Sequence, residues 1–281
     1  MKLFRHGAAG EERPGIVDAN GGLRDLTGQI DDIDGAALSP AALDALRKID
    51  TASLPVLDPT VRIGPCVGSV KTLLGIGLNF ADHAAEAGQP APSEPILFGK
   101  SVSSICGPND DIEIPRGSKK TDWEIELGVV IGKRTKYVEE KDALDHVAGY
   151  CTINDVSERA YQFDGTGHWI KGKSHDTFGP IGPYMVTADE VPDPQDLHLW
   201  CEIDGVMRQN GTTATMIFPV RELVAFVSRF MTLEPGDILA TGTPPGVGLG
   251  IKPEPVFLRA GQTLRCGVDG LGEQTHRLVD A

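Results

Sequence analysis

From Lys71 onward the chain is a succession of short apolar runs, each stopped by glycine or proline. ILFGK, DIEIP, WEIELGVVIG, GYCTINDVS, GPYMVT, LHLWCEIDG and DILATG have strand length, and several alternate apolar with polar residues. The 34 glycines and 20 prolines are roughly a fifth of the 281 residues, against an average of about 12%. Such punctuation leaves little room for long helices, so a mixed, β-rich α+β fold is expected. The exception is FPVRELVAFVSRFMTL, Phe218 to Leu233, which predicts one helix with Leu223, Ala225, Phe226, Phe230 and Leu233 broadly on one face.

Before Lys71 the pattern is different. MKLFRH and PGIVDANGGLRDL flank hairpin chemistry at Ala19-Asn20-Gly21-Gly22, and Ser39-Pro40 supplies a cap and first-turn proline for a short helix ending near Asp50. The proline-rich TASLPVLDPTVRIGP places a soft boundary near Gly64, dividing a small β-rich unit, residues 1–65, from a main unit, residues 66–281. A chain of this length buries a sizeable core without disulfides or metal staples. Cys66, Cys106, Cys151, Cys201 and Cys266 form no CxxC pair and no zinc spacing, so they read as buried thiols of a reducing cytoplasm.

Forty acidic against 26 basic side chains leave a formal charge of -14. That field opposes nucleic acid and anionic membrane as partners. It also opposes an anionic small molecule, unless a bound cation or a basic pocket receives it. The N-terminus has no apolar signal region and no run is long enough for a membrane span, which points to the cytoplasm.

The sharpest local feature is Trp123-Glu124-Ile125-Glu126-Leu127. On a strand Glu124 and Glu126 project from one face while Ile125, Leu127 and Val129 occupy the other. Two adjacent carboxylates repel, and either solvent or a divalent cation must offset that. Asp155 ends the apolar run GYCTIN, far enough along for a return strand to bring it beside Glu126. The three together suit hard Mg²⁺ or Mn²⁺ better than zinc, while a solvated strand face and a turn residue remain the plain alternatives. In NFADHAAE, His83 and Glu86 are helical neighbours, a pair able to take a proton from water or merely an incidental surface contact. Thr241-Gly242-Thr243 opens a loop whose backbone N–H groups form either a carboxylate-binding nest or a structural turn. Lys100, Lys171 and Lys173 are candidate local cations.

NFADHAAE, ILFGKS, DWEIELGVVIG, NDVSER, KGKSHDTFGPIGP and GDILATGTPPGVG occur in the order and at the intervals found in the fumarylacetoacetate hydrolase superfamily, which residues 70 to 270 closely resemble. The resemblance implies a β-roll preceded by a small accessory domain, and a homodimer that pairs further in some members. It implies a Mg²⁺ or Mn²⁺ site at Glu124, Glu126 and Asp155, a water-activating pair at His83 and Glu86 on a short lid helix, and an active-site lysine at Lys173. Lys100, Arg159, Gln162, Thr241, Gly242 and Thr243 would face the substrate, with the loop backbone and Lys173 holding its carboxylate. The implied activity is hydrolysis of a carbon–carbon bond in a 2,4-diketo acid. MKLFRHG, ERPGIVD, KTDWEIELGVVIG and PGVGLGIKP resemble the subgroup that splits 2,4-diketo-3-deoxy-L-rhamnonate to pyruvate and L-lactate in sugar-acid catabolism. Acylpyruvate hydrolysis, oxaloacetate decarboxylation and 2-oxo-enoate isomerisation are the rival outcomes of the same enolate chemistry. A non-catalytic metal-binding protein is the rival of another class. His175 stands where a glycine or aromatic residue is expected.

Overall fold

The computed structural model describes residues 1–281. Its principal sheet has nine strands in the spatial order Leu23–Asp25, Arg13–Val17, Lys2–His6, Met185–Thr187, Val147–Asn154, Ile125–Ile131, Ile238–Ala240, Leu73–Gly77 and Ile96–Lys100. A second sheet of five strands runs Val206–Thr212, His198–Ile203, Thr263–Val268, Gly272–Asp280 and Ile112–Ile114. Helices are short, and the longest is Val220–Phe230. No helix is long and apolar enough to cross a membrane.

Ile125–Ile131 and Val147–Asn154 lie near the middle of the large sheet, and every residue in both is buried. Strands covered on both faces read as nearly continuous apolar runs, which explains GVVI and the stretch around Cys151. The odd-numbered residues Ile125, Leu127 and Val129 join Leu199, Cys201, Leu264 and Cys266 of the second sheet in one core. Val130, on the opposite face, packs with Cys151, Ile153, Leu3, Ile16, Leu26 and Leu38 in the other. Residues 1–65 therefore extend the principal sheet, with Lys2 opposite Val186, and the shared core runs across the boundary drawn near Gly64.

The Ala19–Gly22 turn sets Val17 opposite Leu23, as a hairpin requires. The Ser39 hydroxyl accepts from the Ala42 N–H at 3.3 Å and caps the helix Pro40–Leu46. That helix stops short of the expected end, because Asp50 accepts from Ala52 N–H and starts a separate 3-10 turn at Thr51–Ser53. The helix Val220–Phe230 buries Val220, Leu223, Val224, Phe226 and Val227, whereas Phe230 is 60% exposed. Leu233 lies beyond its end and is buried by bridging to Thr135. The apolar stripe is thus shifted from the one expected.

The strands approach too closely at Gly149 for any side chain. A Cβ there would lie 2.2 Å from the Val186 carbonyl oxygen and 2.5 Å from the Met185 sulfur. Gly149→Ala is expected to lower stability by at least about 1–3 kcal/mol, read as a lower denaturant midpoint at unchanged slope.

Candidate active site

The pairing of the two central strands builds the site. Asn154 lies opposite Ile125 and Ile153 opposite Glu126, so Glu124 and Asp155 fall at the same end of the pair. Asp155 N–H donates to the Glu124 carbonyl at 2.8 Å, and Glu124 N–H donates to Asn154 Oδ1 at 3.0 Å. One oxygen from each of Glu124, Glu126 and Asp155 lies within 4.8 Å of the other two. All three side chains are buried, so the solvated-face alternative does not describe them.

Three buried cations answer these charges. Lys173 Nζ is 2.5 Å from both Glu124 Oε2 and Asp155 Oδ2. Lys100 Nζ donates to Asp155 Oδ1 at 2.7 Å and to the Val156 carbonyl at 3.1 Å. Arg159 bonds Glu124 at 2.6 Å, Asp122 at 2.8 Å and Gln162 Oε1 at 3.0 Å. Burial acts to raise the Glu124 carboxyl, but the charges of Arg159 and Lys173 outweigh it and hold the group well below the ordinary range. Burial, reinforced by Asp155 and Glu124, pushes Glu126 far above it.

Glu126 is the key to what the site can hold. It is 2% exposed, makes no ion pair, and accepts from the Gly242 N–H at 2.7 Å. With Asp122 included, four buried carboxylates face three buried cations, leaving one negative charge over when all are ionised. A buried carboxylate without a counter-charge either keeps its proton or gives it up to a cation. The donors are hard oxygens in a compact cluster, so the residues present fit Mg²⁺ or Mn²⁺. A divalent ion turns the local balance from one negative charge to one positive, which is what an acidic protein needs to receive an anionic ligand.

The helix Ala81–Glu86 is only six residues long, far below the roughly 12–15 that stand alone. Its ends are tied instead. At the start, buried Asn79 donates to the Phe218 and Thr241 carbonyls at 3.1 and 2.8 Å and accepts from Phe218 N–H at 2.9 Å. At the finish, Glu86 accepts from Gly246 N–H at 3.0 and 3.2 Å. Gly246 has a positive φ of 104°, and a Cβ there would lie 1.9 Å from the Arg208 carbonyl oxygen, so the loop requires glycine. Glu86 Oε2 also lies 3.1 Å from His83 Nδ1. An ionised Glu86 accepts from Nδ1–H, which leaves Nε2 as the basic nitrogen.

The loop after Ile238–Ala240 serves the carboxylate strand more than a ligand. Thr241 Oγ1 donates to the Leu127 carbonyl at 3.0 Å, and Thr243 Oγ1 donates to the Ile125 carbonyl at 2.8 Å. Gly242 N–H goes to Glu126. Thr241 and Gly242 lie outside the lining of the main cavity, while Thr243 borders it. Lys100 is likewise absent from the lining and holds Asp155 from behind. Lys171 is exposed, and His175 does not border the cavity.

That cavity, of about 530 Å³, is bordered by His83, Glu86, Glu124, Glu126, Arg159, Gln162, Lys173 and Thr243, so two of the metal-ligand candidates share one space with the His–Glu pair, while Asp155 stands behind them outside the lining. The profile of the fumarylacetoacetate hydrolase C-terminal family matches residues 72–279. The chain belongs to that family. A Burkholderia ambifaria relative, provisionally named a hydrolase, is 64% identical over 274 residues, covering 98% of this chain and 97% of its own. Maleylpyruvate hydrolase from Sphingobium sp. SYK-6, solved in complex with manganese(II) and pyruvate, is 27% identical with a TM-score of 0.82, and the match covers 100% of both chains. A 5-carboxymethyl-2-hydroxymuconate delta-isomerase from Mycobacterium smegmatis is 29% identical with a TM-score of 0.80, again over 100% of both. The neighbours of this fumarylacetoacetate hydrolase family member thus include hydrolases and an isomerase.

Two supporting residues escape the sequence reading. Buried Asp122 accepts from Arg159 and from Gly248 and Leu249 N–H at 2.6 and 3.0 Å, tying the cavity rim to Arg159. The alternation that pairs Glu124 with Glu126 continues back to Asp122 and signals it. Buried Gln209 accepts from Ile125 N–H at 3.0 Å and donates to Thr243 Oγ1 and the Pro244 carbonyl, both at 2.7 Å. It comes from the second sheet, and nothing local in VMRQNGT marks it.

Proposed function

We propose that this chain hydrolyses the C3–C4 bond of a 2,4-diketo acid, releasing pyruvate and a second carboxylic acid. The observation that carries the reading is the placement of the His83–Glu86 pair on the same cavity as Glu124 and Glu126, with Asp155 clustered against them behind the cavity wall. Mg²⁺ or Mn²⁺ held by Glu124, Glu126 and Asp155 would supply Lewis-acid polarisation at the α-keto acid end.

The chain's own groups account for the remaining steps. His83 Nε2 takes a proton from water, and Glu86 stabilises the imidazolium that results. The water oxygen attacks C4, and the tetrahedral adduct collapses with cleavage of C3–C4. The electron pair passes to C3 and the 2-keto oxygen, and protonation at C3 completes pyruvate. Gln162 is buried with its carbonyl engaged by Arg159, which leaves its amide N–H₂ to donate to a substrate oxygen. The lid helix and its Glu86–Gly246 tie limit water entry.

Within this class, 2,4-diketo-3-deoxy-L-rhamnonate, giving pyruvate and L-lactate, is the substrate to which the motifs point first, and a homodimer in the cytoplasm is the proposed state. Isomerisation of a 2-oxo-enoate is the second reading, favoured by the isomerase among the structural neighbours. The deciding experiment offers 2,4-diketo acids, oxaloacetate, a 2-oxo-enoate and ureidoglycolate with Mg²⁺ or Mn²⁺ and follows each product. Pyruvate with a second acid in equal amount, abolished by a chelator, is expected from the diketo acids. Isomerisation without cleavage, or glyoxylate as the sole product, overturns the hydrolase reading. Metal-dependent stabilisation with no turnover of any substrate favours a non-catalytic protein.

A further inference from the structure

Three aromatic rings lead away from the carboxylate cluster. Lys173 Nζ, which touches Glu124 and Asp155, lies 5.0 Å from the centre of the Phe98 ring. Phe98 meets Trp169 edge-on at 5.3 Å, and Trp169 meets Phe163 edge-on at 6.3 Å. All three border the cavity, and Phe163 is 48% exposed, so the run passes from the buried centre toward solvent. The indole is seated against Gly77, where a Cβ would lie 2.6 Å from its Cζ3.

Resting on the 2,4-diketo acid reading, we propose that this wall receives the acyl arm beyond C4 and selects arms ending in an apolar group. With the α-keto acid end at the carboxylate cluster, an arm extending toward solvent along this side lies against Phe98 and then Trp169. Each methylene buried there strengthens binding by up to roughly fourfold. The cavity's remaining unpaired cation is Lys252, which is solvent-exposed. An ion pair at such a position gains at most about fivefold, so it does not compensate a terminal carboxylate for the apolar contacts it forgoes. A methyl-ended deoxy-sugar arm, an alkyl arm and an aryl arm meet the wall's requirement. A terminal hydroxymethyl or carboxylate group does not.

The test compares kcat/KM for acetyl-, hexanoyl-, benzoyl- and succinylpyruvate with the metal-loaded enzyme. The hexanoyl-to-acetyl ratio is expected to be of the order of tenfold or more, with succinyl below hexanoyl. Trp169→Ala should bring that ratio down toward one, and Trp169→Phe should keep most of it. Gly77→Ala, which displaces the indole without removing it, should lower the ratio as well, and serves should Trp169→Ala fail to fold. Turnover with a flat ratio, or with succinylpyruvate preferred, overturns the arm assignment alone. Turnover of none of the four overturns the hydrolase reading and the arm assignment together.

Discussion

Glu126→Gln is expected to lose the divalent cation and at least about 10³-fold in kcat while the folded protein becomes no less stable. The two halves of this expectation have one cause. Glu126 has no cationic side chain against it and is crowded by Asp155 and Glu124, so a neutral amide relieves repulsion inside the buried cluster. The glutamine oxygen still accepts from Gly242 N–H. Asp155→Ala behaves differently, because it strands Lys100 in a buried site and leaves Lys173 with Glu124 as its one carboxylate partner. That variant is expected to lose the metal and also about 3–5 kcal/mol of stability. Calorimetric titration with Mn²⁺ and a thermal melt of the metal-free proteins separate the cases. Equal destabilisation of both variants would show that Glu126 is a structural residue.

His83→Ala carries the other large effect. The substitution should lower kcat by about 10²- to 10⁴-fold, the range of a positioned general base, while metal affinity stays near that of the parent protein. His83 borders the cavity and hydrogen-bonds through its side chain to Glu86 alone, so its loss leaves the partners of the three carboxylates in place. Glu86→Gln should lower kcat too, and it weakens the tie to Gly246 that holds the helix down. A raised KM is therefore expected for Glu86→Gln beyond that for His83→Ala. Metal binding lost together with activity in His83→Ala would contradict the division of labour proposed for the two clusters.

The parts of the fold legible in sequence are those set by local chemistry. Period-two alternation around Glu124, the turn at Asn20-Gly21 and the Ser39-Pro40 cap each follow from neighbours in the chain. The two acidic residues on one strand face are likewise readable, whereas the length of the return strand only allows Asp155 to lie beside them and the family resemblance singles it out. What the pattern could not reveal was depth. ExE looks the same on a wet edge and at the buried centre of a nine-stranded sheet, and only the second sheet on one face and the apolar side chains of the N-terminal unit on the other decide between them.

The same limit explains the residues whose roles shifted. Lys100, Thr241 and Gly242 sit in the expected motifs, yet their polar groups are consumed by Asp155, the Leu127 carbonyl and Glu126. A motif locates a residue near the site without saying whether its donor faces a ligand or the scaffold. Gln209 joins the site from a strand with no chemical signature, through contacts 84 and 34 positions distant in the chain.

The central claim is that one cavity unites a divalent-cation site with a water-activating pair to split a 2,4-diketo acid. A single-turnover experiment in H₂¹⁸O with the Mn²⁺-loaded protein and acetylpyruvate tests it most directly. Heavy oxygen is expected in the acetate carboxylate as the acid from C4, with formation of pyruvate at the same rate and neither product after chelation. Pyruvate formation without label in the acetate, or cleavage unaffected by removal of the cation, would contradict the account.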